Sequence, residues 1–234
     1  MALPDNLISY YNLNGNSNDS VNSNNGTDTS VSYSASYGKL SSGASYSSGS
    51  SSKTSIASNA NLDFTSALTI SGWINPQSFA TPCYMITKFR SSSWSSGGGG
   101  QWMLRVNDAN NIEANIYLAS LTGALATGLS LTTGTWYHVC FTYDGSNIVI
   151  YLNGSSVKTQ AASGSISAGS FGADIGGNSL AGEYGSQYLD EIGIWSRALS
   201  SAEITQLYNS GGALGYPFPS STLSAKKQLL GVGI

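Results

Sequence analysis

Charge is what this sequence has least of. Only 9% of its 234 residues are Asp, Glu, Lys or Arg, and the formal net charge is −3. An ordinary soluble domain is roughly 25% charged. The basic residues form no cluster beyond Lys226-Lys227. Neutralising a phosphate backbone takes a basic face, so the composition argues against nucleic acid as a partner. Histidine occurs once, at His138, which excludes a His-rich metal site. Cysteine occurs twice, at Cys83 and Cys140, with no CxxC pair. Two buried free thiols and a single disulfide are both open readings, because pairing is a matter of geometry. No apolar run approaches the ~18 residues that a membrane helix needs. The opening Met1-Ala2-Leu3-Pro4-Asp5 has no basic region, apolar core or cleavage site. The expectation is a chain without a cleaved secretion signal, made and folded in a cytoplasm.

Glutamate is scarce too: Glu113, Glu183, Glu191 and Glu203 are all there are. A retaining glycosidase on a sheet needs two carboxylates about 5–5.5 Å apart, which alternate positions on one strand provide. None of the four has an acidic partner two residues away. Asp190 and Glu191 are adjacent, and a regular strand sends adjacent side chains to opposite faces. No GxSxG nucleophile turn with His and acid partners is present. His138 lies mid-strand among aromatics, where a packed, hydrogen-bonded histidine is the expectation. Nothing here assembles a catalytic group, and the expectation is a protein that is not an enzyme.

What the chain does have is Gly (28), Tyr (14), abundant Ser and Asn, and 40% hydrophobic residues in short alternating runs. That content is too apolar for disorder. The clearest stretch is Gly134 to Gly154, GTWYHVCFTYDGSNIVIYLNG. Tyr137, Val139, Phe141 and Tyr143 share one face; Trp136, His138, Cys140 and Thr142 share the other. Asp144-Gly145-Ser146-Asn147 turns the chain into Ile148 to Leu152. Asn153-Gly154 turns it again into a third strand at Ser156 to Gln160, because Asn-Gly tolerates positive φ. Such a meander needs a second layer on its apolar face. Further strands are expected at Leu7 to Leu13, Lys53 to Ile56, Leu68 to Asn75, Cys83 to Phe89, Gln101 to Val106, Ile112 to Leu118, Ala124 to Leu131, Phe171 to Gly176 and Gln187 to Trp195. Thr29 to Lys53 reads as short strands with Ser on the wet face. Ser200-Ser201-Ala202-Glu203 fits a capping box and opens one short helix that Gly211-Gly212 stops. Length and pattern fit one large all-β domain.

Three stretches admit functional readings. Asn14 to Asp28 is a turn-rich loop; it is either plain surface or a cation site, since Asn and Asp oxygens are hard ligands suited to Ca²⁺. Arg90 to Gly100 is a Ser/Gly loop around Trp94, which either folds back on the core or contacts a ligand. Ala213 to Ile234 ends in the apolar LLGVGI and is expected to pack on its own domain or dock on a neighbouring chain.

Four pieces in order carry a resemblance: YYNLNGNSNDS, LTISGWIN, WYHVCFTYDG…IVIYLNG and LDEIGIWSRALSSAEITQLYNSG. Together, over roughly residues 6–212, the chain resembles the laminin-G-like, concanavalin A-like jelly-roll domains. Tyr11 and Cys140 depart from the common residues at those positions. The resemblance implies an antiparallel jelly-roll sandwich of two curved sheets spanning 1–212, with 213–234 as an extension. It implies glycan binding on a concave face or rim loops, for which Trp94 and Trp102 are the candidate stacking residues. It also implies a structural calcium shared by the N-terminal segment and the last strand, with Asn16, Asp19 and Asp190 as matching positions. Stand-alone members with such an opening are similar to phage virion proteins. The implied role is a non-enzymatic virion-surface protein: a capsid decoration, fibre or tail component within an assembly. It would sit among other virion proteins and meet a host-surface glycan. A secreted lectin or adhesin is the alternative, and a glycoside hydrolase a lesser one.

Overall fold

The computed structural model describes residues 2–89, 100–167, 169 and 171–219. Its strands, in chain order, are β1 Leu7–Tyr11, β2 Gly26–Thr29, β3 Ser32–Ser34, β4 Gly43–Tyr46, β5 Lys53–Ile56, β6 Leu68–Pro76, β7 Cys83–Phe89, β8 Gly100–Val106 and β9 Ile112–Tyr117. They continue with β10 Leu121–Ala126, β11 Tyr137–Tyr143, β12 Asn147–Leu152, β13 Ser155–Ala161, β14 Ala173–Ile175, β15 Gly177–Asn178, β16 Glu183–Tyr184 and β17 Gln187–Trp195. One helix, α1 Ser201–Tyr208, follows. An eight-stranded antiparallel sheet runs β13-β12-β11-β6-β17-β4-β3, with β1 also paired to β17. A seven-stranded sheet runs β10-β9-β8-β7-β14-β5-β2. This is the expected jelly-roll sandwich.

The alternation decides which side chains meet between the layers. Val139, Phe141 and Tyr143 of β11 and Ile148 and Ile150 of β12 point inward, against Ile86, Trp102, Leu104, Ala114 and Ile116 of the other sheet. Each fully buried Ile, Leu or Phe contributes about 1.5–3 kcal/mol. The turn after β12 has Asn153 at φ +50° and Gly154 at φ +78°, the pair of positive values that the Asn-Gly dipeptide supplies cheaply. The third meander strand forms as expected. The strand expected from Ala124 to Leu131 lies earlier, at Leu121–Ala126, where it pairs with β9.

The other face of the eight-stranded sheet carries a second apolar cluster: Leu3, Tyr10, Cys140, Tyr151, Trp195, Leu199, Ile204, Leu207 and Phe218. One side chain fastens the elements that cover it. Arg197 donates from Nε to the Asp5 carbonyl at 2.9 Å and from an Nη to the Ala2 carbonyl at 2.8 Å. Its other bonds go to the Glu203 carboxylate at 2.6 and 3.0 Å. Glu203 also closes the capping box with Ser200. Burial pushes the Glu203 carboxyl up, but the bonds from Arg197 and Ser200 outweigh it and hold it at about 2.

The tail answers one expectation. Phe218 is buried and stacks on Trp195, and Leu214 and Tyr216 pack against the same cluster. Residues 213–219 are therefore part of the sandwich rather than a free docking arm, and the apolar LLGVGI lies outside the described residues. Cys83 and Cys140 are free and buried in different sheets. Burial pushes the Cys83 thiol up to about 12.

Asp190 and Glu191 depart from the strand rule. A bulge shifts the register between Asp190 and Gly193, and Glu191 takes φ +52°. The extra residue turns both carboxylates to one face. Asp190 lies opposite Trp73 and accepts from the Lys39 and Leu40 amides, both at 2.8 Å. Glu191 accepts from the Tyr10 hydroxyl at 2.6 Å. Both are nearly inaccessible, at 0% and 5% exposure. Burial pushes Asp190 up to about 8, against the amides that hold it down, and Glu191 up to about 7.

Candidate functional site

Ala173 and Ile175 of β14 point into the core, so Asp174 between them points out of the seven-stranded sheet. The register sets Ser55 of β5 and Thr87 of β7 on either side of Asp174. The same row continues through Met103 and Asn115. Over it lies a cavity of about 290 Å³ lined in part by Ser55, Thr87, Phe171, Asp174, Ser179 and Leu180. That is the lower end of the range for small-ligand sites.

The polar groups around this cavity are arranged unevenly. Asp174 accepts from Ser55 Oγ and from the Ser179 amide, both at 2.9 Å, and also from Ser179 Oγ. Lys53 Nζ stands 3.9 Å from the same carboxylate. Thr87 is only 2% exposed, yet its hydroxyl has no partner. Gln101, at the bulge in β8, is fully buried with both amide atoms unpaired. Leaving a buried polar group unpaired costs about 1–3 kcal/mol, so these atoms call for a ligand or water. Leu180 at the lip is 57% exposed.

Tyr84, Arg105, Glu113 and Glu183 form a hydrogen-bonded network, in which Asn115 also donates to Glu113 at 2.8 Å. Arg105 Nε donates to Glu113 at 2.9 Å, and Nη1 donates to the Tyr84 hydroxyl at 2.6 Å and Glu183 at 3.3 Å. The Tyr84 hydroxyl in turn donates to Glu183. Burial drives the Tyr84 phenol well above its ordinary range. Arg105 thus bridges the two carboxylates and offsets the charge of one of them. The face offers hydroxyls, amides and a carboxylate beside an apolar lip. Groups of this kind can hydrogen-bond and orient a small polar ligand.

Residues 47–205, more than half of the sequence, match the family described as the Concanavalin A-like lectin/glucanases superfamily. The chain belongs to this family. No curated protein matches it. Among solved structures of this superfamily fold, the binding domain of Paraclostridial Mosquitocidal Protein 1 is similar at 19% identity and TM-score 0.67, over 88% of this chain and 52% of that one. Domain 4 of AbnA, a GH43 extracellular arabinanase from Geobacillus stearothermophilus, in complex with arabinotriose, is similar at 17% identity and TM-score 0.67, over 86% of this chain and 97% of that one. A botulinum neurotoxin type C structure, from work describing cell entry dependent upon interaction with two ganglioside molecules, gives 16% identity and TM-score 0.65, over 88% and 51%. At such identities the likeness is one of fold. The chain spans about half the length of the toxin binding-domain chains.

Within this concanavalin A-like frame, the residues expected from sequence scatter. Trp102 is a correction: it is fully buried, packs against Phe64 in a tilted contact at 6.2 Å between centroids, and donates Nε1–H to the Leu62 carbonyl at 3.4 Å. It faces the core and offers no surface to a sugar. Trp94 lies outside the described residues. At the positions expected to share calcium, Asn16 Oδ1 accepts from the Asn18 amide, and Asp19 accepts from the amides of Tyr10, Val21 and Asn24. Asp190 accepts from Lys39, Leu40 and Glu191. No donor is common to the two carboxylates. His138 is packed as expected: Nε2 is 2.8 Å from Ser71 Oγ, the ring lies against Trp73, and burial pushes its pKa to about 3. Sequence reasoning missed Thr87, Asp174 and Leu180. The outward position of Asp174 in ADI was a readable signal, but its pairing with Thr87 was not.

Proposed function

We propose that this domain is a non-enzymatic carbohydrate-binding module whose ligand enters the cavity over Thr87 and Asp174. The observation that carries this reading is the unpaired, buried Thr87 hydroxyl beside the Asp174–Ser55–Ser179 cluster under the apolar lip of Leu180. A sugar presents the same two surfaces, hydroxyls on its edges and C–H groups on its faces. The arabinotriose bound to the fold relative and the gangliosides named for the toxin lend support to a saccharide on this scaffold. The ion pairing of Glu113 and Glu183 with Arg105 supports binding without hydrolysis.

For the setting, we propose the surface of a virion, as the opening sequence suggests, with other virion proteins as neighbours and a host-surface glycan as target. Locating the chain on purified particles tests the setting. A glycan microarray with the whole chain tests the binding. A defined glycan set should be retained, and Thr87→Val and Leu180→Ala should each weaken retention about tenfold, the loss of one good hydrogen bond or apolar contact. Retention unchanged in both variants would move the site elsewhere, and product release from a bound glycan would restore the enzyme reading.

A further inference from the structure

We infer that the cavity over Thr87 selects uncharged, hydroxyl-rich saccharides and rejects acidic ones; this rests on the carbohydrate reading above. Ser55 Oγ and Ser179 Oγ both spend their protons on Asp174. A hydroxyl committed in that way turns only its lone pairs outward. The Asp174 carboxylate is itself acceptor-only. Three of the cavity's polar side chains therefore present acceptors, and the Thr87 hydroxyl is unpaired but buried in the cavity floor.

Cations could reverse this, but those near the face are already paired. Lys53 stands against Asp174 at 3.9 Å, Lys88 against Asp63 at 2.5 Å, and Arg105 against Glu113 and Glu183. Lys88 is wholly buried in its pair. Lys39 and Lys158 lie beside β4 and on β13, strands of the opposite sheet, and Arg197 follows β17. Among the described residues, the cation nearest the cavity is thus Lys53, whose 3.9 Å contact with Asp174 is too long for a hydrogen bond and offsets only part of that carboxylate's charge. Arg90, Lys226 and Lys227 lie outside the described residues.

A wall of acceptors around a carboxylate needs donors from its ligand. A neutral sugar supplies one proton per hydroxyl, and its C–H face can rest on Leu180. A sialic acid, uronic acid or sulfated unit brings further acceptors and a negative charge towards Asp174. Like charges meeting in a partly enclosed site repel more strongly than in bulk water. The cavity volume, about 290 Å³, suits one or two sugar units rather than a long chain laid across the sheet.

The test is calorimetric titration of the whole chain with neutral arabino-, galacto- and gluco-oligosaccharides, and with the same oligosaccharides capped by a sialic or uronic acid. The expected result is binding of at least one neutral member, weakened tenfold or more by its acidic cap. Asp174→Asn removes the charge while keeping one acceptor, and it should shrink that discrimination to about threefold or less. Leu180→Ala, at an exposed position that leaves the fold intact, should weaken neutral and capped ligands alike. Acidic ligands binding more tightly than neutral ones, with that binding lost in Thr87→Val, would overturn the charge selection and leave the carbohydrate reading standing. Silence toward both classes would overturn the carbohydrate reading, and this inference with it.

Discussion

Truncating Trp102 separates a core tryptophan from a sugar-stacking one. The side chain is fully buried in β8, against Phe64, with its indole N–H on the Leu62 carbonyl. Removing a buried Trp side chain costs about 3–5 kcal/mol when the cavity cannot collapse. Collapse is opposed here, since Trp102 lies between paired strands, opposite Lys88 on β7 and Ile116 on β9. For a domain of this size each kcal/mol moves Tm by about 2–4 °C. Trp102→Ala should therefore lower Tm by about 6–20 °C, read by calorimetry or by the near-ultraviolet dichroism melt. Trp102→Phe, which refills most of the volume, should recover over half of the loss. A Trp102→Ala protein that melts with the wild type but no longer holds glycan would refute the burial and return Trp102 to the surface.

Other expectations follow from the titrating groups and the loops. Glu203 is depressed in the fold, so its contribution is present above about pH 4.5 and lost as pH falls towards 2. Glu203→Gln should flatten the acid limb of a Tm-against-pH curve, and an unchanged limb would show that Arg197 does not hold the carboxylate. Asp190 and Glu191 are raised, so their contribution is full below about pH 4 and is lost as pH rises through about 7 and 8. Tm should therefore peak on the acidic side of neutrality, and Glu191→Gln should lift the neutral and alkaline limb; a curve rising from pH 5 to 8 would contradict the burial of this pair without a cation beside it. Melts in chelator and in millimolar Ca²⁺ should coincide, because Asp19 and Asp190 already accept amide donors. A shift of several degrees would place an ion at other ligands.

Much of the scaffold could be read from local pattern. Val139, Phe141 and Tyr143 declare their face by alternation, and Ser200 and Glu203 declare the helix start, because both signals depend on residues within a few positions. The bulge at Glu191 escaped that logic: LDEIGI reads as an unbroken strand, and only the register against β6 reveals the extra residue. Trp102 was misjudged for a related reason. Its face is set by β8's pairing with β7 and β9, and an isolated QWMLRV run does not say which side is covered. The binding face was the least legible part. Ser55, Thr87, Asp174 and Ser179 come from separate stretches of chain, each carrying an ordinary polar residue. Their meaning arises only where β5, β14 and β7 lie side by side, and where one hydroxyl there is left unpaired. Carboxylate scarcity, by contrast, spoke correctly to the absence of alternating acidic residues on any one strand.

On the proposed reading, a saccharide sits on the outer face of the seven-stranded sheet. Amide chemical-shift mapping during titration with a binding neutral oligosaccharide tests it most directly. The account predicts that the largest shifts fall on Ser55, Thr87, Asp174, Ser179 and Leu180, and that they disappear in Thr87→Val. Shifts confined to the opposite sheet, around Trp73, His138 and Tyr208, would contradict it.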